Sequence, residues 1–139
     1  NVATNNRTFW FEQIKALPGD KVLFCGDLEF NRIKWYAKFG FVGVVPFGEP
    51  KIYESEYGSV LVSHLPVFES IAVAANIKYK GLVRKLEKVF DSNSCILSIH
   101  GHTQGKTEDR HNTFDVSYRP NVAGPKLLNL DQILALKFN

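Results

Sequence analysis

Methionine is absent from the 139-residue sequence, and cysteine occurs only twice, at Cys25 and Cys95. Two cysteines cannot build a disulfide framework, and both sit inside apolar runs where a thiol is an ordinary core residue. They read as reduced, which points to a cytoplasmic compartment. Long apolar runs are also missing. The stretch 71–75 falls far short of the ~20 residues that a membrane-spanning helix needs, so no membrane partner is expected. No charge of one sign dominates: 17 basic residues face 14 acidic ones for a net charge of +3. The one dense basic stretch, Lys78, Lys80, Arg84, Lys85 and Lys88, lies beside apolar Leu82, Leu86 and Val89. It reads as the solvated face of a helix, with a nucleic-acid surface as the competing reading. Internal repeats and low-complexity linkers are absent too. The first residue is Asn1, which without any methionine fits a processed chain or a part of something longer. No signal-peptide pattern accounts for it.

What is present is an ordinary globular composition, 45% hydrophobic and 22% charged, of a size that suits one domain over 1–139. Trp10, Ile14 and Leu17, spaced by four and three, predict a helix over 8–17 that Pro18-Gly19-Asp20 ends. The continuous apolar run 21–25, bounded by Gly26, suits a strand covered on both faces. Asn31 can cap a helix through Ile33, Tyr36 and Phe39, with Gly40 just past its end. Strands are expected over 41–45, 51–54, 59–63, 95–99 and 113–117, with a hairpin turn at 55–58. A helix is expected over 82–90. The segment 66–76 fits no single pattern, and 131–138 suits either a short helix or a strand. Together these elements make an α/β domain with mixed strands.

Candidate chemistry gathers at strand ends. Asp27 follows the 22–25 run by one glycine, His64 directly follows the strand ending at Ser63, and His100 and His102 follow the strand ending at Ile99. Ligand sites in open α/β sheets lie just beyond the carboxyl ends of strands. Imidazole nitrogens and carboxylate oxygens are good donors to Zn²⁺, Mn²⁺ or Fe²⁺. A single histidine at a strand end is more often a hydrogen-bonded structural residue, so spacing alone leaves both readings open.

Three blocks carry a resemblance. Ser98-Ile99-His100-Gly101-His102-Thr103-Gln104-Gly105 resembles the closing G-H-T-H motif of calcineurin-like metallophosphoesterases. Val60 to Val67, with Ser63-His64-Leu65-Pro66, resembles the strand and Ser-His-x-Pro block that precedes it. Leu23 to Glu29, with Gly26-Asp27-Leu28-Glu29, resembles the G-N-H-D block, and 35–41 its usual connector. The last strands of the family are matched by 115–117 and the run through Pro120 to Ile133. The resemblance covers nearly the whole chain. It implies mixed β-sheets packed as a sandwich flanked by helices, and hydrolysis of phosphate esters by a metal-activated water. It also implies that His64 and His102 ligate the second of the family's two metals, with Asp27 standing in for the usual asparagine.

The departures define what remains of such a site. The D-x-H block that opens the family lies before the chain begins, so the domain is expected to lack the usual N-terminal part. The G-D block has no separate counterpart ahead of Asp27, although residues 18–30 can be aligned to it instead. Gln104 replaces a ligating histidine, and Leu28 replaces the histidine thought to protonate the leaving group, a proton leucine cannot supply. At most one ion, of Mn, Zn or Fe, is therefore expected on Asp27, His64 and His102. His100 is expected to support the ligands, Gln104 to line the site, and Arg119 either to touch phosphate or to sit in an exposed turn. A homo-oligomer or a partner chain could supply the missing ligands. Two functions follow: a metal-dependent phosphoesterase acting on a phosphate ester through a reduced site, or a catalytically inactive relative that serves binding or assembly. Binding of nucleic acid through 78–88 is a third reading.

Overall fold

Residues 7–26, 33–36, 40–68, 77–102, 112–116 and 128–138 are described in a computed structural model, and they fall into two units, Asn1–Glu49 and Pro50–Asn139. The first unit opens with helix α1 (Arg7–Ala16). The residue before a proline is pushed away from helical dihedrals, and Leu17, ahead of Pro18, ends the helix with its N–H donating to the Ile14 carbonyl at 3.1 Å. Strand β1 (Val22–Phe24) pairs in parallel with β2 (Gly43–Val45), Leu23 opposite Val44. The pairing runs one residue further, because the Cys25 N–H donates to the Val45 carbonyl at 2.9 Å. β1 is half-buried along its length rather than covered on both faces, while Cys25 just beyond it is fully buried. Between the strands lies the short helix α2 (Ile33–Tyr36). Its expected cap, Asn31, and its expected last turn at Phe39 lie outside the described residues. Gly40 has a positive φ of 79°, a backbone conformation that glycine adopts without strain.

The second unit is a four-stranded mixed sheet in the order β3-β4-β5-β6. β3 (Lys51–Ser55) and β4 (Gly58–Ser63) form an antiparallel hairpin, Ser55 opposite Gly58 across a two-residue turn. The Ser55 hydroxyl holds that turn, donating to the Gly58 carbonyl at 2.7 Å and accepting from the Tyr57 N–H at 3.2 Å. Only glycine suits position 58. Its φ is 133°, and a Cβ there would stand 3.0 Å from the Ile96 side chain. β4 then pairs in parallel with β5 (Leu97–His100), and β5 in parallel with β6 (Thr113–Asp115).

Parallel neighbours need a crossover, and helix α3 (Ile77–Ser92) lies between β4 and β5. It is longer than the 82–90 expected. Its apolar stripe of Tyr79, Val83, Leu86 and Phe90 recurs every three or four residues, with the last three buried. Lys78, Arg84, Lys85 and Lys88 are exposed, as a solvated face requires, while Lys80 is half-buried. The helix ends with Ser94 in the left-handed conformation, φ 49°. There the Cys95 N–H donates to the Phe90 carbonyl and the Ser94 N–H to that of Asp91. That is a Schellman end, with serine where glycine is usual.

The last segment, which suited either helix or strand, is helix α4 (Leu130–Phe138). Asn129 decides the matter. Its side-chain oxygen accepts from the Gln132 N–H at 2.8 Å, and the Gln132 side chain accepts from the Asn129 N–H at 2.9 Å. This reciprocal cap satisfies two donors that a helix start leaves open. α4 buries Ile133 and Leu134 against Val60, Leu97 and Ile99, with Val62, Ile96 and Phe114 packed around them. This apolar layer covers one face of the sheet. The alternate residues, Leu61, Ser63, Ser98, His100 and Thr113, point to the other face and are also buried, since side chains alternate along a strand. The chain is thus α/β with mixed strands, and no described helix is long and apolar enough to cross a membrane.

Candidate functional site

The site begins with register. β4 and β5 run the same way with Ser63 opposite His100, so both strands release the chain at one edge. His64 leaves β4 there and Gly101 leaves β5, and the Gly101 N–H donates to the His64 carbonyl at 3.1 Å. The Ser63 hydroxyl donates to the Leu65 carbonyl at 2.7 Å, which turns the chain sharply after His64. His102 then takes a left-handed backbone, φ 69°, a conformation costing of order 1 kcal/mol or more in a residue other than glycine. The result is a close imidazole pair. His64 Nε2 lies 3.2 Å from His102 Nδ1, with the rings 5.2 Å apart at 69°.

Two nitrogens at this separation can share a proton, one ring donating its N–H to the lone pair of the other. They can equally share a cation. Nitrogens each ~2.0–2.1 Å from one ion at tetrahedral or octahedral angles lie about 2.8–3.4 Å from each other. Both imidazoles are half-buried, so the pair is shielded yet within reach of solvent.

His100 plays a different part. It is 1% exposed, its Nδ1–H donates to the Gly101 carbonyl at 3.0 Å, and its ring meets that of Phe68 edge-on at 6.0 Å. Burial lowers its pKa below the ordinary value, opposed by the Gly101 hydrogen bond and the charge of Asp115. A neutral imidazole follows, fixed by the backbone that leads to His102. Its carbonyl accepts from the Val116 N–H at 2.8 Å, which ties β6 to the same edge. Tyr79, near the start of α3, meets the His102 ring edge-on, 5.4 Å between centroids at 86°. Neither Tyr79 nor Phe68 was legible as a site residue, because the sequence pattern placed no element at 66–81. The charge run around Tyr79 drew attention to its lysines instead.

The structure therefore brings His64 and His102 together and sets His100 beside them. Asp27, Gln104 and Arg119 lie outside the described residues. Among the described residues, no group of three or more histidine, cysteine, aspartate or glutamate side chains converges as a metal site would.

No family model matches the chain, and no curated protein matches it. A crystal structure of a protein of unknown function from Aquifex aeolicus is similar, with a TM-score of 0.59 and 24% sequence identity. The likeness covers 81% of this chain and 60% of that one, so the chain spans about three-fifths of the length of that neighbour. It shows a shared fold.

Proposed function

We propose that the edge where β4 and β5 end holds one divalent metal ion and that the chain is a metal-dependent phosphoesterase with a reduced site. The observation that carries this is the 3.2 Å approach of His64 Nε2 to His102 Nδ1, a separation that suits two nitrogens on one ion. Each ring contributes a lone pair, and the Gly101 to His64 backbone bond holds both in place without ligand. The resemblance to calcineurin-like metallophosphoesterases implies Asp27, which lies outside the described residues, as a third ligand. When bound, a divalent ion of Mn, Zn or Fe type polarises a phosphoryl oxygen and lowers the pKa of a bound water. The protein's own part is positional. His64 and His102 bind, and His100 keeps the β5 exit rigid from the buried side of the sheet. The buried thiols of Cys25 and Cys95, which form no disulfide, are consistent with a cytoplasmic setting.

The test is hydrolysis of bis(p-nitrophenyl) phosphate by purified protein with manganese. Turnover should depend on the metal, disappear with a chelator, and fall at least ~10- to 100-fold in His64→Ala, since removing a ligand costs no less than removing the support of one. No turnover in a clean, manganese-loaded preparation would end the enzyme reading. The second reading, a non-catalytic relative serving binding or assembly, draws on the same imidazole contact, which a single shared proton satisfies without any ion. It is favoured if metal analysis after dialysis finds no bound ion.

A further inference from the structure

We propose that Tyr79 is a positioning residue for His102: its ring, planted on α3, holds the His102 imidazole so that Nδ1 stays turned toward His64. The proposal rests on the metal-binding reading of the pair and names a residue that neither the sequence pattern nor the strand-edge logic supplies. The His102 ring meets two others. His64 approaches it at 5.2 Å between centroids, and Tyr79 at 5.4 Å, nearly perpendicular at 86°. Perpendicular ring pairs at this distance are attractive, worth about 0.5–1.5 kcal/mol beyond simple burial.

His102 needs such a brace more than most residues. It has left the strand, its backbone is left-handed, and no β-ladder holds it. A swing of its ring out of this plane would turn Nδ1 away from His64, and the pair would lose one of its two lone pairs. Tyr79 is well anchored for the task. It stands on the same helical stripe as Val83, Leu86 and Phe90, all three buried, so the packing of α3 fixes where its ring lies. The packing of a helix thereby sets the aim of a ligand on the far side of a sheet connection.

Residues that orient a metal-binding imidazole from outside the ligand set typically change affinity by about 10- to 100-fold. The experiment is titration of the full chain with Co²⁺, followed by its visible absorption and by calorimetry, for wild type, Tyr79→Phe, Tyr79→Leu and Tyr79→Ala. Phenylalanine keeps the ring and should bind within about threefold of wild type. Leucine keeps apolar bulk without a ring and should bind about 10- to 100-fold more weakly, as should alanine. Wild-type affinity in a folded Tyr79→Leu, checked by circular dichroism, overturns the proposal and leaves the metal reading standing. A loss in Tyr79→Phe as large as that in Tyr79→Leu also overturns it, since the ring contact would not be what matters. Failure of the wild-type chain to bind Co²⁺ at all removes the metal reading and this proposal together. Should Tyr79→Ala not fold, the leucine variant carries the test.

Discussion

The two faces of the four-stranded sheet are made from the same strands, alternate residue by alternate residue, and they differ in kind. One face carries Val60, Val62, Leu97, Ile99 and Phe114 and is closed by Ile133 and Leu134 of α4. The other carries Ser63, Ser98, His100 and Thr113, together with apolar Leu61, buried to a similar depth. Burying hydroxyls and an imidazole stabilises little, and an unsatisfied one costs free energy. Ser98 is such a case, since its hydroxyl is buried with no hydrogen-bond partner among the described residues. The apolar face explains why the unit folds. The polar face gains less from burial, and it carries His100 just before the chain leaves β5 toward His102. The contrast teaches that depth of burial does not separate structure from function here, whereas chemistry at equal depth does.

Neighbouring positions test this contrast. Leu97→Ala, in the centre of the apolar layer, should lower stability by about 2–5 kcal/mol, measured by urea unfolding, as truncations in a packed core do. A loss below about 1 kcal/mol would mean that α4 does not close that face tightly. Gly58→Ala should cost about 1–3 kcal/mol, because the left-handed backbone and the 3.0 Å approach to Ile96 both oppose a methyl group. Ile96 packs on the apolar layer, so an unchanged variant would show that layer to be loose at its hairpin end.

The polar face should respond to pH where the apolar face does not. His100 has its pKa lowered below 6.5 by burial, and around it stand Asp115, which pushes the value up, and His102 and Lys137, which push it down. The unfolded chain therefore takes up the proton first as pH falls. Stability is full above the unfolded pKa and declines below about pH 6.5, until the folded pKa is passed. In metal-free protein, urea midpoints measured at about pH 7.5 and about pH 5.5 should differ less for His100→Leu than for wild type. An equal difference would show that His100 does not contribute. Ser98→Ala, next in sequence to Leu97, should be the mildest change: neutral, or stabilising by up to about 1 kcal/mol, because a hydroxyl lacking a partner is removed. A clear loss of stability would reveal a bond to that oxygen and weaken the contrast between the faces.

Much of this was legible in the sequence because it depends on short-range pattern. Apolar runs bounded by turn residues marked β1, β3, β4 and β5, and the strand ends placed His64 and His102 at one edge. What was not legible depends on contacts distant in the chain or on side-chain detail. α3 extends upstream through Gly81, a residue that normally weakens a helix by about 1 kcal/mol. A helix held by Val83, Leu86 and Phe90 tolerates that cost, and only packing reveals it. α4 could not be told from a strand by periodicity, because the deciding feature is the reciprocal Asn129–Gln132 pair of hydrogen bonds. β1 was taken as covered on both faces because a run of apolar residues implies full burial, yet only Cys25 beyond it is fully enclosed. The contact between Tyr79 and His102 joins residues on two elements, and no spacing rule announces it.

The alignment of Ser63 with His100 has one more consequence. Side chains on a strand alternate with a period of two, so sliding β5 by a single position along β4 would carry Leu97 and Ile99 to the opposite face and shift the histidines by about 3.3 Å. The hydrophobic layer and the opposed exits at His64 and Gly101 are therefore read from one registration mark. Any substitution that preserved the core would keep those two exits opposed, whatever chemistry the rings beyond them perform.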